Sequence, residues 1–192
     1  MYFTSDLHHQ HKRICELTGR KHVTKYENHT QWLIDLVNKR VTNSDQLYLL
    51  GDISFSRKFS DVADFYSQLN GQKFVIKGNH DDRKVLYQLV SEGIIQAWYD
   101  YKEKTVTYND KEYHLVMMHF PIASWHKQHY GSIHLHGHTH GSYQGQGKIL
   151  DVGVDNSIKI FDEYKVFSLE DVVYFANQRE ISSPSHHQPK DI

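Results

Sequence analysis

The chain has 192 residues, with 22 Lys plus Arg against 23 Asp plus Glu and a formal net charge of −1. That length favours one domain with a sizeable core, and the near-zero charge argues against bulk electrostatic binding to nucleic acid. One cysteine, Cys15, excludes an internal disulfide framework and a Cys-based zinc finger. Residues 1–7 read as a short strand that ends in the polar cluster Asp6-Leu7-His8-His9-Gln10-His11. Residues 30–41 place Trp32, Leu33, Leu36, Val37 and Val41 on a helical stripe. Residues 46–50 form an apolar run stopped by Gly51-Asp52, as expected of a buried strand. Ser60 is expected to cap a helix running to Leu69, with Asp61 near its positive end and Gly71 just beyond it. Residues 73–76 are a further buried strand, halted at Gly78-Asn79-His80-Asp81, and residues 83–92 a helix closed by Gly93.

In the second half, residues 104–108 and 112–118 flank Asn109-Asp110, the signature of a β-hairpin. A strand at 132–136 ends in Gly137-His138-Thr139-His140-Gly141, and another at 148–154 is followed by the turn-like Asp155-Asn156-Ser157. Ser168-Leu169-Glu170-Asp171 opens a last helix with a capping box. Residues 1–178 are therefore expected to form a single domain, and 179–192 a frayed tail rich in Ser, Pro, His and Gln. Strand–helix alternation followed by strand pairs predicts a layered α/β fold around two sheets. No apolar run reaches the ~20 residues of a bilayer span, and the first residues lack the pattern of a signal peptide. The expected compartment is a reducing cytosol.

The chemistry concentrates in five short segments, each after an apolar strand. Asp6 and His8 are spaced by two, which on an extended strand puts both on one face. Asp52 follows Gly51, where glycine lets the chain turn sharply out of the sheet, and Asn79 and His80 follow Gly78 in the same way. His119 precedes Phe120-Pro121, and His138 and His140 are bracketed by Gly137 and Gly141. Carboxylate, imidazole and amide oxygen together suit Mn, Fe, Zn or Ni better than Ca. Two Asp, four His and one Asn suffice for two ions only if one ligand bridges, and Asp52 is the candidate. Among the remaining histidines, His9, His11, His126 and His129 could line the pocket but their spacing gives no compelling geometry, and the His186-His187 pair reads as solvated. Arg57 and Arg83 could neutralise phosphate oxygens and Trp125 could stack on a ring, against simpler readings as surface and packing residues, and Cys15 reads as a buried small apolar one.

This pattern resembles the calcineurin-like metallophosphoesterase family, whose signature runs Asp-x-His, Gly-Asp, Gly-Asn-His-Asp/Glu, His, Gly-His-x-His. It stands here as Asp6-Leu7-His8, Gly51-Asp52, Gly78-Asn79-His80-Asp81, His119 and Gly137-His138-Thr139-His140. The resemblance extends to about Asp155 and is greatest to the small, single-domain bacterial and phage members, which places the chain in a host cytoplasm if a phage encodes it. It departs from members that read Gly-Asp-x-x-Asp, since Phe55 stands where the second Asp would be. The resemblance implies a four-layer α/β/β/α sandwich with a di-metal site at the strand ends. One metal would be held by Asp6, His8, Asp52 and His140, and the other by Asp52, Asn79, His119 and His138. His80 would face the substrate phosphate and leaving group, with Asp81 orienting its ring.

The function so implied is hydrolysis of a small phosphodiester, a nucleotide or cyclic nucleotide among the choices, by direct attack of a metal-bridging hydroxide. Mn²⁺ is the first choice of cofactor, with Fe, Zn or Ni as alternatives. Phosphodiesterase activity is favoured over phosphomonoesterase, because no dense Arg/Lys cluster serves a terminal phosphate. A nuclease, a nucleotide pyrophosphohydrolase or a phosphoprotein phosphatase on the same site is the enzymatic alternative. The other classes are a silent metal-binding recognition module, which would not need His80, and a zinc-stabilised structural protein, which would need closed tetrahedral sites. Expected partners are a small phosphate ester, no membrane and no strong nucleic-acid surface.

Overall fold

The computed structural model describes residues 1–20 and 26–182. Strands β1 (Tyr2–Thr4), β2 (Gln46–Leu49), β3 (Gln72–Ile76), β4 (Ala97–Tyr99) and β9 (Phe167–Ser168) form one sheet in the order β4-β3-β2-β1-β9. Strands β5 (Tyr101–Tyr108), β6 (Lys111–Met118), β7 (Ile133–His136) and β8 (Ile149–Asp151) form a second in sequence order. The β1–β4 neighbours are parallel, as are β6, β7 and β8, whereas β9 and β5 lie antiparallel at the edges. The helices are α1 (Ile14–Thr18), α2 (Tyr26–Asn38), α3 (Phe59–Gln68), α4 (Arg83–Ser91), α5 (Val154–Phe161) and α6 (Leu169–Asn177). This is a mixed α/β protein with two sheets, and no helix of the described residues is long and apolar enough to cross a membrane.

Period-two alternation decides which side of each strand meets what. Leu47, Leu49 and Val75 turn outward from the first sheet onto Leu33, Val37, Phe65, Leu86 and Leu89 of α2, α3 and α4. Phe3, Tyr48, Leu50 and Ile76 turn the other way, onto Leu115, Met117, Ile133, Leu135 and Leu150 of the second sheet. The second core therefore lies between the sheets, and α6 closes it with Val172 and Ala176. The outer face of the second sheet is covered by segment 119–132, whose Trp125 packs on Val116 and Ile149.

Most predicted elements lie where the sequence placed them. Asn109 and Asp110 both take positive φ (50° and 59°), the conformation a tight two-residue hairpin turn requires. Ser168 and Asp171 form a reciprocal capping box on α6. Three readings are corrected. Ser60 is not the cap of α3: Lys58 holds that position, so that Phe59 starts the helix and packs on the core, and the Ser60 hydroxyl donates to Asp61. The run 155–157 is not a turn but the first part of α5, because Ser157 donates back to the Val154 carbonyl and Asn156 to that of Asp151. Arg179, expected in a frayed tail, donates to the carbonyls of Gln144, Gly145 and Gly147. The tail beyond residue 182, including His186-His187, lies outside the described residues. The sequence reading missed β4, β9 and α1, all of five residues or fewer.

Candidate metal centre

Five of the parallel strands deliver a chemistry-bearing segment at one common edge. Asp6 follows β1, Asp52 follows β2, Asn79 follows β3, His119 follows β6 and His138 follows β7. A bridge between Ser5 and Gly153 ties the end of β1 to the chain leaving β8, so the two sheets meet at this edge. Open α/β sheets place their sites at such strand ends.

The Asp6/His8 spacing works by a different route from the one the sequence suggested. The strand ends at Thr4, and Asp6 and His8 both adopt left-handed backbone, φ 57° and 54°. Their N–H groups donate to the Gly51 and Asp52 carbonyls, so a turn rather than an extended strand aims the two side chains. Asp52, His138 and His140 also have positive φ, at 52°, 69° and 48°. Each such non-glycine residue costs about 1–3 kcal/mol, and strain of this kind gathers at functional sites.

Two groups of ligand atoms result, each mutually within 4.8 Å: Asp6 with His8 and His140, and Asp52 with His119 and His138. Asn79 joins the second, its Oδ1 3.0 Å from His119 Nε2. The groups adjoin, since the His138 N–H donates to both oxygens of Asp6. Gly51 and Gly78 permit this approach. Gly51 has φ +93°, and a Cβ there would meet His119 Nδ1 at 2.5 Å, while a Cβ on Gly78 would overlap the Asp52 carboxylate and amide.

The ring orientations are set from behind. His119 Nδ1 donates to the Leu50 carbonyl (2.7 Å), which turns Nε2 toward Asn79 and Asp52. His140 Nδ1 donates to Asp155 at 2.6 Å, again leaving Nε2 for the site. Burial works against the charge on Asp52, yet the His119 ring beside it holds the carboxyl down at about 2. Asp6 is likewise lowered despite burial, by His8 and the charges of His140 and His119. His119 and His140 are raised against their burial, chiefly by Asp52 and Asp155 respectively. The counterexample is His8: its ring is buried, Nδ1 has no hydrogen-bond partner among the described residues, and Nε2 comes no nearer than 3.7 Å to Asp6, beyond hydrogen-bond distance. Unpaired buried polar atoms are expensive, and a cation held with Asp6 and His140 would satisfy one of them. The donor set fits divalent ions.

Asp81 departs from its expected role. Its buried carboxylate accepts the backbone N–H groups of Asp52, Ile53 and Gly78, at 2.9, 3.2 and 2.8 Å. It therefore locks together the two turns that carry Asp52 and Asn79, and its own pKa is raised by burial. The His80 ring is positioned otherwise. The His80 N–H donates to Asp52 Oδ1, and the ring packs on Phe55 with centroids 4.3 Å apart. Its Nε2 lies 3.9 Å from Asp52.

The sequence reading gave no part to Arg20 or Asp155. Arg20, almost wholly buried, grips both oxygens of Asp155 at 2.8 and 2.9 Å and donates to the Leu7 and Asp6 carbonyls. The pair fastens the Asp6–His8 turn to α5 and, through Asp155, orients His140. Removing one partner of a buried ion pair costs about 3–5 kcal/mol, so Arg20→Ala should destabilise by that order. Asp155 lies well below the usual carboxylate range, because His140 and Arg20 outweigh its burial. Its contribution is complete above the unfolded value of ~3.9 and is lost progressively from there as pH falls toward the lowered folded value, so a scan to pH 3 reads the onset of the loss. Urea midpoints measured from pH 6 to pH 3 should therefore fall more steeply in wild type than in Asp155→Asn; equal slopes would remove this pair as the cause.

A cavity of about 450 Å³ opens on the centre; its lining includes His8, His11, Phe55, His80 and His140 together with Ile14, Leu17 and Lys159. Several residues stand apart from it. His9 is buried, stacked on Phe65 and held by Ser54. Trp125 is buried and donates to the Ser132 carbonyl, and Arg83 pairs with Asp100. Cys15 is half-buried rather than buried, and Arg57 is exposed.

No family model matches the chain. It is 25% identical to the gene 66 protein of Mycobacterium phage L5 over 193 residues, covering 88% of this chain and 92% of that one. It is 28% identical to the gene 66 protein of Mycobacterium phage D29 over 178 residues, covering 81% and 87%. Among solved structures it is similar to AQ665 from Aquifex aeolicus, a protein of unknown function, with a TM-score of 0.62 and 21% identity. That likeness covers 91% of this chain and 97% of the other, so the two share a fold.

Proposed function

We propose that the chain is a di-metal phosphoesterase of the calcineurin-like type that hydrolyses a small phosphodiester. The observation that carries this reading is the pair of adjoining ligand groups, Asp6/His8/His140 and Asp52/His119/His138. On this reading Asp52 is shared, one ion being held with Asp6, His8 and His140 and the other with Asn79, His119 and His138. Two divalent ions, with Mn²⁺ the first choice, would supply Lewis-acid charge for the phosphoryl oxygens and acidify water for in-line attack. His80 stands at the cavity wall with its side chain about half exposed, placed to donate a proton to the leaving oxygen. Phe55, on which its ring packs, lines the same cavity. The fold would be the four-layer sandwich, its fourth layer reduced to segment 119–132. The phage relatives favour a host cytoplasm.

The lining of the cavity supports a diester. Lys159 is its one Lys or Arg among the described residues, and that ammonium is already held by the His140 carbonyl at 2.8 Å. Arg20 is consumed by Asp155. A dianionic terminal phosphate would find little further positive charge, whereas Ile14, Leu17 and Phe55 offer an apolar wall to a second organic substituent. With Mn²⁺ present, kcat/KM for linear or cyclic nucleotide diesters should exceed that for phosphomonoesters. A clear preference for monoesters would overturn the substrate class, and no hydrolysis with any of Mn²⁺, Fe²⁺, Zn²⁺ or Ni²⁺ would overturn the enzyme.

A further inference from the structure

A third convergence of ligand side chains lies away from the strand ends, on the outer face of the second sheet. Glu103 of β5 and His114 of β6 share that face, since Thr105 pairs with His114 across the hairpin and Glu103 lies two residues from Thr105. His126 reaches the same point from segment 119–132. His114 Nε2 and His126 Nδ1 both approach one oxygen, Glu103 Oε2, at 2.6 and 2.7 Å. The three ligand atoms lie within 4.8 Å of one another.

We propose that Glu103, His114 and His126 bind a further divalent cation, Zn²⁺ by preference, which clips segment 119–132 to the β5–β6 hairpin. Two imidazoles and one carboxylate form the donor set of an open zinc site, with water left to complete the tetrahedron; Mg²⁺ and Ca²⁺ would ask for more oxygen. Each of two ligands is already braced from behind. The Tyr101 hydroxyl donates to Glu103 Oε1 at 2.7 Å, which leaves Oε2 facing the imidazoles. Thr105 Oγ1 lies 3.2 Å from His114 Nδ1, so a proton on that nitrogen keeps the Nε2 lone pair for the cation. The third ligand is fixed through its backbone, the Ser132 hydroxyl donating to the His126 carbonyl at 2.6 Å. A metal would replace the ring protons that now point at Glu103. The segment it would anchor begins with His119 and carries Trp125, the cover of the sheet's outer face.

Equilibrium dialysis against Zn²⁺ followed by metal analysis tests the site in the full chain. The His114→Ala/His126→Ala variant should hold one Zn²⁺ fewer than wild type at saturation. It should also gain less in Tm from added Zn²⁺. Glu103→Gln keeps a hydrogen-bond acceptor for both imidazoles but removes the anion. It should stay folded, with a metal-free Tm nearer to wild type than that of the double variant, and weaken one zinc site more than tenfold, since even outer partners change affinity by roughly 10–100-fold. Equal zinc content in folded wild type and double variant overturns the proposal. If the double variant does not fold, unchanged zinc affinity in Glu103→Gln overturns it. None of these readouts involves hydrolysis, and the seven residues of the strand-end centre are untouched, so the phosphoesterase reading can fail separately.

Discussion

Asp52→Asn should abolish most activity, by several orders of magnitude, and lower the number of divalent ions bound at the strand-end centre. The substitution preserves shape: an amide oxygen can still accept the His80 N–H that now donates to Oδ1, and the Gly51 and Gly78 turns are unaffected. What it removes is a full negative charge at a position where the carboxyl, held down at about 2, is ionised at every working pH. Two cations a few ångströms apart repel strongly, and an anion between them is the most direct compensation. An amide offers neither that charge nor a second anionic oxygen. Metal analysis and turnover measured on the same preparation check the prediction together. Wild-type turnover with the full metal complement would remove Asp52 as the shared ligand. Loss of activity with unchanged metal content would instead point to a role on substrate.

Much of the centre was legible because its residues punctuate apolar strands. Gly51-Asp52 and Gly78-Asn79 each follow an apolar run of a buried strand, Gly137-His138 follows a strand with alternating Ile133 and Leu135, and parallel strands bring their ends to one edge. Direction was less legible than position. Asp81 adjoins His80 in sequence, yet its carboxylate turns inward to three backbone N–H groups, and nothing in adjacency distinguishes those outcomes. Asp6 and His8 were rightly paired, but their aim comes from left-handed backbone that a spacing of two does not reveal. Asp155 carried a faint signal, since it comes two residues after Gly153 at the end of a strand, near the adjacency of Gly51 and Asp52 but not the same. Arg20 carried none: its partner lies 135 positions away, and an isolated arginine has no periodicity to betray its burial. Short edge elements such as β4 and β9 escape for a related reason. Pattern needs length, and their stability comes from neighbours.

His80→Ala should keep both ions of the strand-end centre and lose roughly 10²–10⁴-fold in rate, the range of a positioned acid. The retention follows from its place. Asn79 offers its amide oxygen beside His119, while the His80 ring diverges onto Phe55 at the cavity wall. The rate loss follows from the chemistry of the leaving oxygen. An alkoxide is a poor leaving group until it is protonated, whereas p-nitrophenolate departs readily without help. The deficit should therefore be large for alkyl and nucleoside esters and small for p-nitrophenyl esters. Because Asp81 does not hold the ring, Asp81→Ala should act differently: it frees three buried backbone N–H groups, so stability and metal content should fall, with the rate loss alike for both leaving groups. Phe55→Ala, which removes the surface the ring packs on, should resemble a milder His80→Ala. If His80→Ala loses a metal, His80 is a ligand. If its deficit is the same for good and poor leaving groups while both metals stay, it stabilises transition-state charge and some other group delivers the proton.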